Sequence, residues 1–457
     1  MTRVEANASR RQTERLGTDA IAPLVMRLSL PAIIGLLVSS LYQFVDRIFI
    51  GQFVGEQGLA AMNAVQPLAT LLFAFTLCVG RGGSVIYSIA LGRHDYDAAR
   101  RIFSRCVFTQ LAAALALMTP TLIFLGPILG VCGARADAFV PAREYMSLIV
   151  LGLPFGMFLM SNHLIRSEGA STYSMISQVV GAVTNVALDY LLMSDVVGLK
   201  MGVRGAALAT VASQGVSAAM VGAFFIRKSV VRFKPRECVP SLDFLKRVIA
   251  NGSTPLATHL VMAVTWTVQN RMINQFAAPY TVSAAMAVFG VVMNLNHLMI
   301  TPMLGLAMGM QPLVGYNHGA GKTGRVRKVF FFSVFAAVVF TLIPFGVLQI
   351  FARAIIAQFG LRGDTLTLGA STLRRYLLLM PLGGMGILFS HYFQGTGQAR
   401  KALLLSLVRQ LALALPFMLI IPRFFGYAGI VFAFPLSEVC GTFFAAWMVG
   451  RELRIKN

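Results

Sequence analysis

Charge is what this chain has least of. Of 457 residues only 12% are Asp, Glu, Lys or Arg, against roughly 25% in an ordinary soluble domain. Half the usual charge does not coat a water-soluble globule of this size. Acids are scarcer still, at 17 against 39 Lys and Arg. The five cysteines (Cys78, Cys106, Cys132, Cys238, Cys440) are scattered without a CxxC pair or a His/Cys cluster, which excludes a disulfide frame and a zinc site. The glycine-rich run GRGGSVIYSIALG (80–92) lacks the GK[ST] ending of a phosphate loop and lies inside an apolar stretch, so close helix packing is its better reading. No catalytic-serine or ATP-binding signature stands elsewhere, and no cofactor is expected.

What the chain has instead is apolar length. Hydrophobic residues make up 57% and the mean hydropathy is +0.73, which excludes a disordered or fibrous chain. Twelve apolar stretches run from about 20–50 to about 427–450, each long enough to cross a bilayer. The fold class is an all-α polytopic membrane protein. A net charge of +22 could suggest nucleic acid, but the bases gather on alternate connections, seven of them between Arg227 and Arg247. That bias places both termini in the cytoplasm, makes the bilayer the partner and leaves no role for nucleic acid. Residues 1–18 are polar and begin without an apolar signal core, so they are expected to stay cytoplasmic.

The basic linker 227–247 falls near mid-chain and invites a search for a repeat. Pro31 aligns with Pro255, Asp46-Arg47 with Asn270-Arg271, and Ala60-Ala61-Met62 with Ala284-Ala285-Met286. After a slip of a few residues, Gly82 aligns with Gly309, Gly92 with Gly319, His163 with His391 and Gly169 with Gly397. Two parallel halves of six helices imply a pseudo-twofold along the membrane normal. The expected organisation is a tail (1–18), an N-terminal lobe (19–226), the linker (227–247), a C-terminal lobe (248–450) and a second tail (451–457).

An ionisable group inside a span is costly and points to function. Only Asp46, Asp189 and Glu438 lie well inside apolar runs. Tyr42 and Gln43 precede Asp46 by four and three residues and share its helical face. Asn185 and Gln178 form a second polar stripe with Asp189. Asp46 stands 15 residues past Pro31, and Asp189 stands 15 past Ser174. At about 1.5 Å per residue both reach roughly 22 Å along their helices, so one site could hold both carboxylates. Such a site would take up a proton or a cation, with sodium at Asp46, Asn185 and Asp189 as the other option. Asn270 replaces Asp46 in the second half, so coupling should belong to the first. Glu438 takes the repeat position of Gln214 and is open to a packing or a functional role.

Several segments together resemble the multidrug and toxic compound extrusion (MATE) family: LSLPAIIGLLVSSLYQFVDRIFIG (28–51), GRGGSVIYSIALGRHD (80–95), TNVALDYLLM (184–193), GVRGAALAT (202–210), QPLVGYNHGAGK (311–322) and QGTGQARKALLLSLVRQ (394–410). The resemblance covers about 20 to 450. It implies twelve transmembrane helices in two six-helix lobes that rock between outward- and inward-facing states. It also implies export of bulky, mostly cationic organic compounds in exchange for protons or sodium. The expected location is the inner (plasma) membrane and the expected state a monomer. Members that couple through the N-terminal lobe carry an acid in the first helix, matched by Asp46, and an Asn and Asp in the fifth, matched by Asn185 and Asp189. Tyr42, Gln43, Gln178, Asn270 and Glu438 are the supporting candidates. The acids that some relatives place in the seventh and tenth helices are missing here beyond Asp364 at an edge, which favours protons. The alternatives are a flippase for lipid-linked sugars, which would want a basic cavity, and an intramembrane enzyme using His163 or His391.

Overall fold

The computed structural model describes the backbone of residues 13–54, 56–132, 139–194, 199–278, 280, 282–359 and 362–455; some helical side chains, including Gln43, Arg47, Asn270 and Asn294, lie outside the description. Every regular element among the described residues is helical. Lipid offers the backbone no hydrogen bonds, so an apolar run must satisfy its own N–H and C=O groups by coiling.

The first half holds α1 (Ile21–Phe53), α2 (Glu56–Gly92) and α3 (Tyr96–Ile123). A pair bent by 52° follows, α4 (Phe139–Leu151) and α5 (Leu153–Ser167), then α6 (Ser171–Met193) and α7 (Gly202–Arg227). The second half holds α8 (Leu242–Phe276), α9 (Val282–Gly319) and α10 (Thr323–Ile350). Its next span opens with α11 (Gly363–Leu377) and closes with α12 (Gly386–Gly395). Then α13 (Ala399–Leu407) runs through a π-helical turn, Val408–Ala414, into α14 (Leu415–Ile455). Among the described residues nine stretches, or ten with the bent pair, are long and apolar enough to cross a membrane. The Ala399–Glu452 stretch breaks at Gly426 (φ 56°, ψ −137°) and so supplies two spans. Counting α8 as well, whose first turns carry Lys246, Arg247 and Asn251, gives twelve long helical stretches among the described residues.

Two compact units emerge. One comprises the residues up to Asp19, Leu30–Leu256 and Gly315–Lys322; the other comprises Ala20–Ser29, Ala257–Val314 and Thr323–Asn457. Each has its own apolar core, and the repeat-related Ala61 and Ala285 sit in the two cores at 1% and 0% exposure.

The turns carry the repeat in atomic detail. After α2, the N–H of His94 donates to the Leu91 carbonyl (3.0 Å) and that of Asp95 to the Ala90 carbonyl (3.2 Å). After α9, Gly321 donates to His318 (3.1 Å) and Lys322 to Asn317 (2.9 Å). This is the Schellman ending, whose penultimate residue must be left-handed: φ is +57° at His94 and +72° at Gly321. The same ending closes at Gly169 and at Gly397, with φ of +84° and +72°. The aligned Gly92 and Gly319 make reciprocal contacts within the first unit. A Cβ on Gly92 would stand 2.0 Å from the Tyr316 carbonyl oxygen, and one on Gly319 would stand 2.2 Å from that of Ile89.

Just past α5, the buried Glu168 fastens the start of the linker. Its Oε1 accepts from the Tyr87 hydroxyl and the Ser229 hydroxyl (2.6 Å each), and its Oε2 accepts from the Val230 N–H (3.1 Å). Burial pushes this carboxyl up to about 7 against the pull of those donors. A carboxyl raised in the folded state stabilises fully below its ordinary value near 4.5, and that stability is lost as pH rises to about 7.

Two outcomes follow from this packing. Thermal midpoints in detergent should fall between pH 4.5 and 7 in the wild type by an amount absent from Glu168→Gln; parallel curves would refute the assignment. Gly92→Ala and Gly319→Ala should each cost about 3 kcal/mol or more. Gly346→Ala, which meets nothing within 4 Å, should leave monodisperse yield unchanged.

Candidate functional site

The site grows from two facing helices of the first unit. On α6, the apolar residues of AVTNVALDYLL place Asn185 and Asp189 one turn apart on a single face. Both are buried, at 1% and 0% exposure. Neither oxygen of Asp189, and neither side-chain polar atom of Asn185, finds a hydrogen-bond partner among the described residues of the protein. On α1, Asp46 is 9% exposed and close enough for its charge to act on Asp189. Tyr42, one turn earlier, feels both carboxylates. Toward the helix ends, Phe49 and Phe53 of α1, 5.7 Å apart, close against Tyr190 of α6 with ring centroids at 6.3 and 6.4 Å.

Close packing holds α6 in this register. A Cβ on Gly181 would stand 2.1 Å from the Ser217 hydroxyl, and that hydroxyl donates to the Ser177 carbonyl (2.9 Å). Ser177 donates in turn to the Asn162 amide oxygen (3.1 Å). Gln178 points toward α1: its amide donates to the Ser174 carbonyl (3.0 Å), and its Nε2 lies 3.4 Å from where a Cβ on Gly35 would be. Such internal bonding fixes Gln178 against α1, about three turns along α6 from Asp189.

The structure therefore brings Asp46, Tyr42, Asn185 and Asp189 together, with Gln178 further along the same helix. It adds Tyr145 of α4, which sequence periodicity missed. Tyr145 is 8% exposed, its hydroxyl lies within reach of Thr210, and the charges of Asp46 and Asp189 both act on it. A single tyrosine in an apolar helix gives no polar stripe, so only the fold reveals it. The side chains of Gln43 and Asn270 lie outside the described residues. Glu438 belongs to the second unit, where its Oε1 lies 3.4 Å from the Arg409 Nε, both residues being less than a tenth exposed. Arg409 stands on the π-helical turn and packs against Gly386 and Gly441. A search for buried acids alone passes over this basic partner. His391, the candidate enzymic histidine of the second half, turns its Nδ1 to the Ile387 carbonyl one turn back (2.8 Å).

A desolvated carboxylate is poorly tolerated as an isolated anion, and a proton or an oxygen-seeking cation relieves it. Asp46, Asn185 and Asp189 offer hard oxygen donors, which suit sodium but not a thiophilic metal. Among the described residues no group of three His, Cys, Asp or Glu is placed to hold a metal ion.

A family model described as MatE matches residues 31–191 and again residues 259–420, one match per repeat. The multidrug export protein MepA of Staphylococcus haemolyticus (strain JCSC1435) is 26% identical over 433 residues, covering 94% of each chain. MepA of Staphylococcus aureus (strain MSSA476) is 27% identical over 417 residues, covering 91% of this chain and 90% of its own. The fold superposes with a TM-score of 0.90 on the outward-facing conformation of a multidrug resistance MATE family transporter of the MOP superfamily, at 22% identity and covering 96% and 98% of the two chains. A MOP superfamily transporter from Pyrococcus furiosus gives 0.88 at 22% identity, covering 96% and 97%. At that identity the solved structures speak to fold alone, and theirs is the twelve-helix, two-lobed one.

The orphaned carboxylate generates a prediction about stability. Asp189→Asn keeps the shape and removes the buried charge, so at pH 8 it should stabilise the fold by about 1 kcal/mol, read as a higher thermal midpoint. A variant less stable than wild type would mean that Asp189 is a structural acid.

Proposed function

Because the chain belongs to the MatE family, we propose that it is a secondary antiporter that exports bulky, mostly cationic organic compounds in exchange for protons. It is a multi-pass membrane transporter and not an enzyme, as its family membership requires. The reading places it in the inner (plasma) membrane as a monomer, with both termini in the cytoplasm. The basic linker and the export function of the MepA relatives support that placement.

One observation carries the coupling: Asp189 and Asn185 are buried without hydrogen-bond partners among the described residues, within range of the Asp46 charge. A proton arriving from outside neutralises this site and weakens its hold on a cation, so cargo leaves. Release of the proton to the cytoplasm restores the negative charge that attracts the next cation. Cargo and proton then compete for one charge, and such competition is a coupling free energy, worth typically about 1–3 kcal/mol. The glutamate of the second unit does not offer the same chemistry, because Arg409 already balances it. An acidic site also suits a cation better than the pyrophosphate of a lipid-linked sugar.

Everted vesicles with an acid interior and a pH-sensitive dye test this reading. Ethidium added outside should discharge luminal acid through the wild type, and Asp46→Asn and Asp189→Asn should slow the discharge by about ten-fold or more at equal expression. Drug movement that responds only to luminal sodium would replace the proton with sodium. Full proton-driven export by Asp189→Asn would refute the site.

A further inference from the structure

A groove of about 760 Å³ opens on the first unit between α3, the start of α5 and α7. Its floor is one face of α7, formed by Gly215, Ala218, Ala219, Gly222 and Ala223, and it ends at Ile226 and Arg227. The floor is bare: a Cβ on Gly215 would meet nothing within 4 Å, and one on Gly222 would meet only a Phe158 ring atom at 3.8 Å. The walls are apolar and outward-facing, with Leu111 51%, Phe155 47% and Ile226 73% exposed. In a membrane protein such a surface meets acyl chains, not water.

Length and charge identify the occupant. From Gly215 to Arg227 the helix rises about 18 Å, close to the roughly 15 Å of one leaflet's hydrocarbon plus the first atoms of a headgroup. The groove thus spans a single leaflet and stops at a guanidinium. Arg227 is exposed and has no ion-pair partner among the described residues. Beside it the Lys228 ammonium sits 5.1 Å over the Tyr173 ring, and the basic linker begins here. Two cations at the mouth repel a cationic cargo and attract a phosphate.

We propose that this groove binds one anionic phospholipid from the leaflet on the linker side, its phosphate against Arg227 and an acyl chain along the Gly215–Ala223 face. The site is separate from the carboxylates of α1 and α6, and the inference does not depend on the export reading. A lipid held there would brace α7 against α3 and α5 on the side opposite the Gly181–Ser217 contact.

Native mass spectrometry and thermal shift on delipidated protein, with added phosphatidylglycerol or phosphatidylcholine, test the proposal. Wild type should retain phosphatidylglycerol preferentially and gain more thermal stability from it than from phosphatidylcholine. Arg227→Gln should lose that preference, with an affinity drop of about five-fold, the value of one basic residue at an anionic surface. Gly222→Leu, which fills the groove with a better helix former, should abolish retention of both lipids while the delipidated protein stays folded and monodisperse. Equal retention by wild type and both variants would overturn the proposal. So would displacement of the lipid by ethidium, or a Gly222-dependent dimer, since each makes the groove a site for something else.

Discussion

A carboxylate held out of water among packed helices is the constraint on which the rest of this protein turns. Lipid and apolar side chains give an anion almost nothing, so Asp189 and its neighbour Asp46 must find a proton or a cation, or be surrounded by donors. Elsewhere the protein supplies donors generously. Glu168 receives three, and Glu438 has a guanidinium beside it. At Asp189 it supplies none among the described residues, although Asn185 lies one turn away. On the reading proposed above, an acid left unmet in this way is available for exchange.

The close packing around the site serves this constraint. Gly181 brings α7 within reach of the α6 backbone, and Gly35 admits Gln178 against α1. Both contacts lie about two to three turns along the helices from the carboxylates and set how closely α6 approaches its neighbours. The aromatic group of Phe49, Phe53 and Tyr190 covers one end of the same pair of helices. Twofold repetition provides the frame: Schellman endings recur at His94 and Gly321 and at Gly169 and Gly397, and Gly92 and Gly319 each lie against a carbonyl of the other's helix. Chemistry departs from the repeat where Asn270 stands in place of Asp46 and where Arg409 balances Glu438.

Much of this was legible in the residues. Low charge and long apolar runs dictate helices in lipid. The aligned glycines mark places where a backbone turns left-handed or approaches another closely, and such requirements survive when apolar residues drift. The acids stood out because a charge inside an apolar run is rare. Tyr145 did not stand out, since an isolated tyrosine in an apolar helix is ordinary until the fold sets it beside two carboxylates. Arg409 was hidden in a different way. It sits on a π-helical turn, which shifts the face a residue occupies relative to regular helical spacing. The membrane-side groove was also silent, because Gly215, Ala219 and Gly222 read equally well as helix-packing residues.

The most direct measurement of the central claim counts protons when cargo binds. Purified protein in detergent and weak buffer near neutral pH would be titrated with ethidium while a pH indicator follows the solution. If cargo and proton compete for the carboxylates of α1 and α6, binding to wild type releases protons, and binding to Asp46→Asn or Asp189→Asn releases fewer or none. Ethidium that binds wild type without acidifying the solution, or variants that release as many protons as wild type, would contradict the account.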